Sequence, residues 1–208
     1  MCSTKSVLCY AIIAIVVLFS NCSETTEPGN SAAGLIPLKV GNSWNYKLTS
    51  YDSSGSISYI ENQTSTIIRD TSISDYTWYA YNDAPNGIWF TNKSDGYWAF
   101  IKANTGSIIN DTSIFVYKYP TNVGDIYGDP ASPMEVMAIN KLISVPAGTF
   151  NVIQIVSTSV DTTNYLIDSF ELFIAPQVGI IKTMQIGRKP DGNKFIVYKR
   201  ELESYALK

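Results

Sequence analysis

Residues 43–68, SWNYKLTSYDSSGSISYIENQTSTII, decide the fold. Trp44, Tyr46 and Leu48 alternate with Asn45, Lys47 and Thr49. That period of two suits a strand with one buried face, whereas a helix would place its apolar residues three and four apart. Asp52-Ser53-Ser54-Gly55 has turn chemistry, and Ile57 to Ile68 supplies a partner strand, so the stretch predicts a β-hairpin.

The same alternation continues to the end of the chain. Further strands are predicted at Tyr76–Tyr81, Ile88–Thr91, Tyr97–Ala103, Ile114–Tyr119, Val136–Val145, Phe150–Val160, Tyr165–Ile174, Gly179–Ile186 and Phe195–Leu207. Turns fall at Asp83–Gly87, Lys93–Gly96 and Asn104–Gly106. Met134–Leu142 has helix-forming residues behind Pro130 and Pro133, but the alternation of Met137, Ile139, Lys141, Ile143 and Val145 favours a strand. The expected fold is all-β, an antiparallel meander forming a barrel or a strongly curved sheet of about ten strands. A short repeat accompanies it. Pro37–Trp44 (PLKVGNSW) and Pro120–Tyr127 (PTNVGDIY) both read P-x-x-V-G-[ND]-x-[WY], each a turn feeding a strand with glycine at a positive-φ position.

The amino-terminal region has a different composition. Lys5 precedes an apolar run from Val7 to Phe19, too short to span a bilayer core, which needs roughly 20 residues, but within the range of a secretory signal. The run ends Leu18-Phe19-Ser20-Asn21-Cys22, which resembles the lipobox of bacterial lipoprotein signal peptides, with Asn21 where the strict pattern has Gly or Ala. The resemblance implies a signal peptide over residues 1–21, a mature chain beginning at Cys22, and acyl chains on that cysteine. Several chains on one residue anchor firmly, since each buried CH2 contributes about 0.8 kcal/mol. Cys2 and Cys9 would leave with the signal, so no disulfide can form within the mature chain. Ser23 to Gly34 (SETTEPGNSAAG) reads as a flexible tether, and residues 35–208 as one β-rich domain. Ser23 follows the lipid cysteine, where the sorting rule of lipoproteins implies the outer membrane, with the domain facing the periplasm or the cell surface.

Pro37–Tyr46 (PLKVGNSWNY), Val145–Phe150 (VPAGTF) and Ala175–Lys182 (APQVGIIK) resemble the landmarks of a group of uncharacterised bacterial lipoproteins: P-L-x-x-G-x-x-W-x-Y, V-P-A-G-T-F and A-P-x-V-G-x-[IV]-K. The resemblance implies a shared fold and carries no catalytic residues with it. A looser likeness in strand count and meander is to the lipoprotein-carrier proteins of the periplasm, whose unclosed barrel holds acyl chains in an apolar concavity.

Composition narrows the chemistry. The 208 residues include no histidine, which removes Ser-His-Asp triads, Cys-His dyads and His-ligated zinc. Fifteen basic against 18 acidic residues, a net charge of -3, provide no basic face for nucleic acid. No phosphate loop, nucleophile elbow or dinucleotide fingerprint is present, so no cofactor, metal or catalytic residue is expected, and the chain is not expected to be an enzyme. Carboxylate pairs give the remote glycosidase alternative. Asp168 and Glu171 fall on opposite strand faces, and Glu201 and Glu203, beside Lys199 and Arg200, read as a solvated edge. Asn82-Asp83 with Asn86, and Asp191 with Asn193, have turn chemistry rather than calcium-loop spacing.

The remaining signal is the aromatic density of residues 76–100, which holds Trp78, Tyr79, Tyr81, Trp89, Phe90, Tyr97, Trp98 and Phe100. Adjacent residues on a strand point to opposite faces, so one face cannot absorb them all. Trp78, Trp89, Trp98, Tyr79 and Tyr81 are the candidate ligand-binding aromatics, as a stacking platform for sugars or a groove for acyl chains, against the alternative of core packing. The expected function is a membrane-anchored, non-enzymatic binding module for a lipid, a glycan or an envelope protein. The alternative is a structural envelope component without a small-molecule site.

Overall fold

Twelve strands carry the domain: β1 (Ser43–Tyr51), β2 (Ile57–Ile73), β3 (Tyr76–Tyr81), β4 (Ile88–Lys93), β5 (Gly96–Ile101), β6 (Thr112–Lys118), β7 (Ile126–Asp129), β8 (Ser132–Val145), β9 (Gly148–Thr158), β10 (Ser169–Ala175), β11 (Gly179–Arg188) and β12 (Lys194–Ala206). The computed structural model of the chain describes residues 34–84, 87–101, 112–158 and 167–208. The signal peptide, Cys22, residues 23–33 of the tether and the turn at Asn104–Gly106 lie outside the described residues.

The sheet is a meander in two runs. Strands β1 to β6 pair with their sequence neighbours in order, as do β7 to β12, and the runs are joined where β1 pairs antiparallel with β12. This leaves β6 and β7 as the two edges. The edges meet through side chains rather than a ladder. Phe115 on β6 packs edge-on against Tyr127 on β7, with centroids 5.6 Å apart, and Lys118 pairs with Asp125 at 3.0 Å. The result is a nearly closed barrel, in agreement with the expected class. Strand β7, four residues long and too short to show a period, was marked in the sequence only by the repeat that feeds it. Residues 134–142 lie within β8, so the alternation there prevailed over helix propensity.

The repeat marks equivalent places in the two runs. Gly41 (φ +90°) donates its N–H to the Ile67 carbonyl at 2.8 Å, and Ile67 returns a bond to the Asn42 carbonyl at 2.9 Å. Gly124 (φ +85°) does the same with Val136 at 2.8 Å, and Val136 returns a bond to Asp125 at 2.9 Å. Both copies thus dock the lead-in to a run's first strand on its second strand, at a residue fully shielded from solvent.

The three landmark segments have physical roles. From Lys182 onward β11 pairs with β12, but the carbonyls of Val178 and Ile180 precede that ladder. Side chains of β1 serve them instead: Trp44 Nε1 donates to Val178 O at 2.6 Å, and the Tyr46 hydroxyl donates to Ile180 O at 3.0 Å. The first and third landmarks are therefore one contact. The second is the turn between β8 and β9, with Gly148 at φ +136°, and its Ala147 N–H donates to Leu202 O on β12 at 3.1 Å. A strap precedes β1. Leu35 and Ile36 are buried, Asn92 of β4 holds Ile36 by both its backbone groups, and Gln177 N–H donates to Leu35 O at 3.1 Å.

The core gathers on the β8–β12 side. Val136, Val152, Ile174, Ile181 and Leu202 are fully shielded, each such side chain contributing about 1.5–3 kcal/mol relative to exposure. Several charged residues form ion pairs. Asp168 pairs with Lys194 at 2.7 Å and with Arg188, and these contacts hold its carboxyl below the usual carboxylate range, Lys194 having the largest effect. Glu201 bridges Lys182 and Lys199, both at 2.9 Å.

Candidate functional site

The interior is not filled where β1 to β6 face the start of β11 and the middle of β12. A cavity of about 300 Å³ lies there, walled by Ile36 of the strap, Trp44 and Tyr46 of β1, Ser65 of β2, Tyr81 of β3, Phe90 of β4, Tyr97 of β5, Val116 and Tyr117 of β6, and Arg200 of β12. Asp83 and Ala84, after β3, complete the lining with Gly179 and Ile180.

Strand register explains the wall. Phe90 faces Ala99 across the β4–β5 pair, and the small alanine leaves space for Tyr97, its diagonal neighbour, to stack flat on Phe90. The centroids are 5.4 Å apart and the planes 5° from parallel. Tyr97 faces Tyr117 across β5–β6 and stacks on it at 6.0 Å. Tyr81 meets Phe90 edge-on at 5.4 Å, and Trp44 lies 6.0 Å from Tyr81. Trp44, Tyr81, Phe90, Tyr97 and Tyr117 thus form a continuous aromatic belt drawn from five strands.

Most polar groups on the wall are engaged. The Tyr97 hydroxyl donates to that of Tyr81 at 3.4 Å, and the Ser65 hydroxyl donates to Asp83 Oδ1 at 2.9 Å. Burial raises the hydroxyl pKa of Tyr46, Tyr81 and Tyr97 far above the tyrosine range. Burial likewise pushes Tyr117 up to about 12, against the opposing pull of the Arg200 guanidinium. The belt is therefore uncharged at any physiological pH. Among the described residues, Asp83 is the one carboxylate in the lining, and Arg200 the one cation.

The sheet divides the five aromatics singled out in the sequence. Tyr81 is in the belt, and Tyr79 is half-buried on the same face, packed against the core. Trp78, Trp89 and Trp98 alternate with Tyr79, Phe90 and Tyr97 and so occupy the opposite face. Trp78 is buried there, its Nε1 donating to Ile73 O at 3.3 Å and its ring tilted against Phe100. Trp89 lies under the Arg69 guanidinium at 4.9 Å, and Trp98 under Lys93 Nζ at 4.0 Å. No single face brings the five together.

The carboxylates weighed for catalysis lie away from the cavity. Asp168 and Glu201 are tied into the ion pairs above, and Glu171 accepts from Gln154 Nε2 at 3.1 Å. Of the loop residues weighed for calcium, Asn86 lies outside the described residues, and the others bond to the chain itself. Asn82 holds both backbone groups of the β2 segment at Thr64 and Thr66, and Asp191 accepts from the backbone and side chain of Asn193.

Arg200 requires a correction. Read in sequence as part of a solvated edge, it faces inward with Leu202, because Tyr198, Arg200 and Leu202 keep the inner phase of β12 while Glu201 and Glu203 take the outer one. An arginine two residues from a fully buried leucine was the available signal.

Comparisons with known proteins follow this geometry. No protein-family model and no curated protein sequence matches the chain. Solved structures do match. A crystal structure described as "a putative lipoprotein" from Parabacteroides distasonis aligns with a TM-score of 0.51 at 16% identity, over 85% of this chain and all of that one. A "putative exported protein with YmcC-like fold" from Bacteroides fragilis aligns with a TM-score of 0.53 at 11% identity, over the same shares. The chain shares their fold. At those identities the likeness concerns the path of the backbone and carries no residue of the belt with it.

Proposed function

We propose that this chain is a lipid-anchored, non-enzymatic envelope protein whose barrel binds a small ligand with a large apolar surface. The observation that carries the reading is the belt. Five rings in contact line an open space of about 300 Å³, at the lower bound of the volumes that ligand pockets occupy. A scaffold would fill that space with side chains, as the β8–β12 side of the same barrel is filled. Among the described residues the lining holds a single carboxylate, where glycoside hydrolysis calls for an acid and base pair.

The test uses the chain from residue 22, expressed without the leader, and the neutral dye N-phenyl-1-naphthylamine. The dye should bind with a fluorescence gain, and Val116→Phe, which adds a ring to the lining of edge strand β6, should reduce that binding at least about tenfold while leaving the melting temperature within a few degrees. A wild-type protein that leaves the dye dark, or a Val116→Phe variant that binds it equally well, favours the structural-component alternative.

The anchor rests on the segment LFSNC, on the absence of any other cysteine after residue 21, and on the structural neighbours, one described as a lipoprotein and the other as an exported protein. Outer-membrane placement rests on Ser23. In a bacterial host, labelled palmitate should enter the wild-type chain and be absent from Cys22→Ser. Equal labelling of the two, or none in either, overturns the anchor.

A further inference from the structure

Among the described residues, Arg200 is a cation with a buried, unpartnered donor. Its guanidinium lies 3.7 Å from the centroid of the Tyr46 ring, a stacking contact on one face, and its Nε is shielded from solvent with no acceptor among the described residues. The ion pairs of the described residues do not include it, although its neighbours Lys199 and Glu201 on the same strand both pair. A cation partly withdrawn from water without an anion is costly, and the cost falls when an anion arrives. Asp83 does not supply that anion. It lines the same cavity, but no carboxylate oxygen among the described residues reaches within ion-pairing distance of Arg200, and Asp83 Oδ1 is taken by Ser65.

Tyr46 is committed to Ile180 O, which fixes the ring that Arg200 lies on. Tyr117 lines the same cavity and its hydroxyl has no hydrogen-bond partner among the described residues, so the wall offers a second donor. From these donors the belt leads away as apolar surface through Tyr97, Phe90, Tyr81 and Trp44.

The geometry points to an anionic single-chain amphiphile as the ligand of this cavity, its carboxylate or phosphate head on Arg200 and Tyr117 and its hydrocarbon chain along the belt. This rests on the cavity-binding reading above and adds the charge and polarity of the ligand. A guanidinium suits either head because its planar fork of donors matches two oxygens at once.

The experiment is displacement of N-phenyl-1-naphthylamine from the chain beginning at residue 22, at neutral pH and below micelle-forming concentrations, by dodecanoate, dodecyl phosphate and dodecanol. At least one of the two anions should displace the dye at a concentration about tenfold or more below that of the alcohol, the margin expected of a charge-assisted hydrogen bond; which anion leads identifies the head. In Arg200→Met, which keeps an apolar stem, the alcohol should compete as in wild type while the advantage of the anions disappears. The melting temperature of unliganded Arg200→Met should equal or exceed wild type, because an unpaired charge has been replaced by apolar volume, whereas a merely structural arginine would lower it. Arg200→Lys keeps the charge without the fork and should retain part of the preference, which covers the case of a methionine variant that does not fold. Equal displacement by alcohol and anions, or a preference that survives in Arg200→Met, overturns the anionic assignment and leaves an apolar site. Failure of all three amphiphiles together with the dye overturns the cavity reading itself.

Discussion

Trp44→Ala should destabilise the domain by about 3–5 kcal/mol, the range for truncating a buried tryptophan. The ring is almost fully shielded, and it does two things at once. It begins the aromatic belt, and its Nε1 satisfies the Val178 carbonyl at a place where β11 has not yet met β12. Alanine removes the packing and leaves that carbonyl without its donor. The adjoining cavity moderates the loss, because water admitted there can bond the carbonyl, so the lower half of the range is expected. Trp44→Phe separates the two effects. It keeps most of the ring, loses the donor, and should cost about 1–1.5 kcal/mol. Urea denaturation of both variants is the measurement, and a Trp44→Ala cost below about 1 kcal/mol would mean that the indole does not hold β1 to the β10–β11 turn.

Gly179→Val should cost a similar amount, about 3 kcal/mol or more, for two reasons that add. Its φ of +116° lies where β-branched residues are strained by roughly 1–3 kcal/mol. A Cβ there would also stand 3.1 Å from Trp44 Nε1, so the indole would have to move from the bond it makes to Val178. Gly55 provides the control. It has φ +88° and open space for at least 4 Å around the point where a Cβ would stand, so Gly55→Ala should show the backbone effect alone, about 1 kcal/mol. Gly179→Ala in the same experiment should cost clearly more than Gly55→Ala. Equal costs would place the whole effect in the backbone and remove the steric argument.

The strands were legible because they need only local information. Alternation in residues 44–49 and 136–145, and turn residues at 52–55 and 93–96, specify period and punctuation within a few positions. The positive φ at Gly41 and Gly124 was readable for the same reason. The site was not local. Which face of β3 to β5 lines the cavity follows from how the barrel curls, and that separates Tyr81 from Trp78, Trp89 and Trp98 although all are equally aromatic in the sequence. Phe90 and Tyr97 become neighbours only through the β4–β5 register. Arg200 was misread because it lies between Lys199 and Glu201, and a run of charges conceals the alternation that turns every second residue inward. The shift in register between Gln185 and Ile186, opposite Tyr198 and Ile196, further obscures the phase of β12.

The pairing of β1 with β12 bears on the order in which the barrel can form. Every other ladder joins strands adjacent along the chain, so it can close over a short loop, whereas Trp44 opposite Tyr205 requires nearly the whole domain to be looped together. The entropy of that closure falls on one step, after two six-strand ribbons have each had the chance to zip on their own. Joining residues 208 and 34 and opening the chain at residues 121–123, between the unpaired edges, would turn the same barrel into a single ribbon in which every ladder is local. The seam that nature places between the ends of the chain would then be one more hairpin, and the slow search for it would drop out of folding.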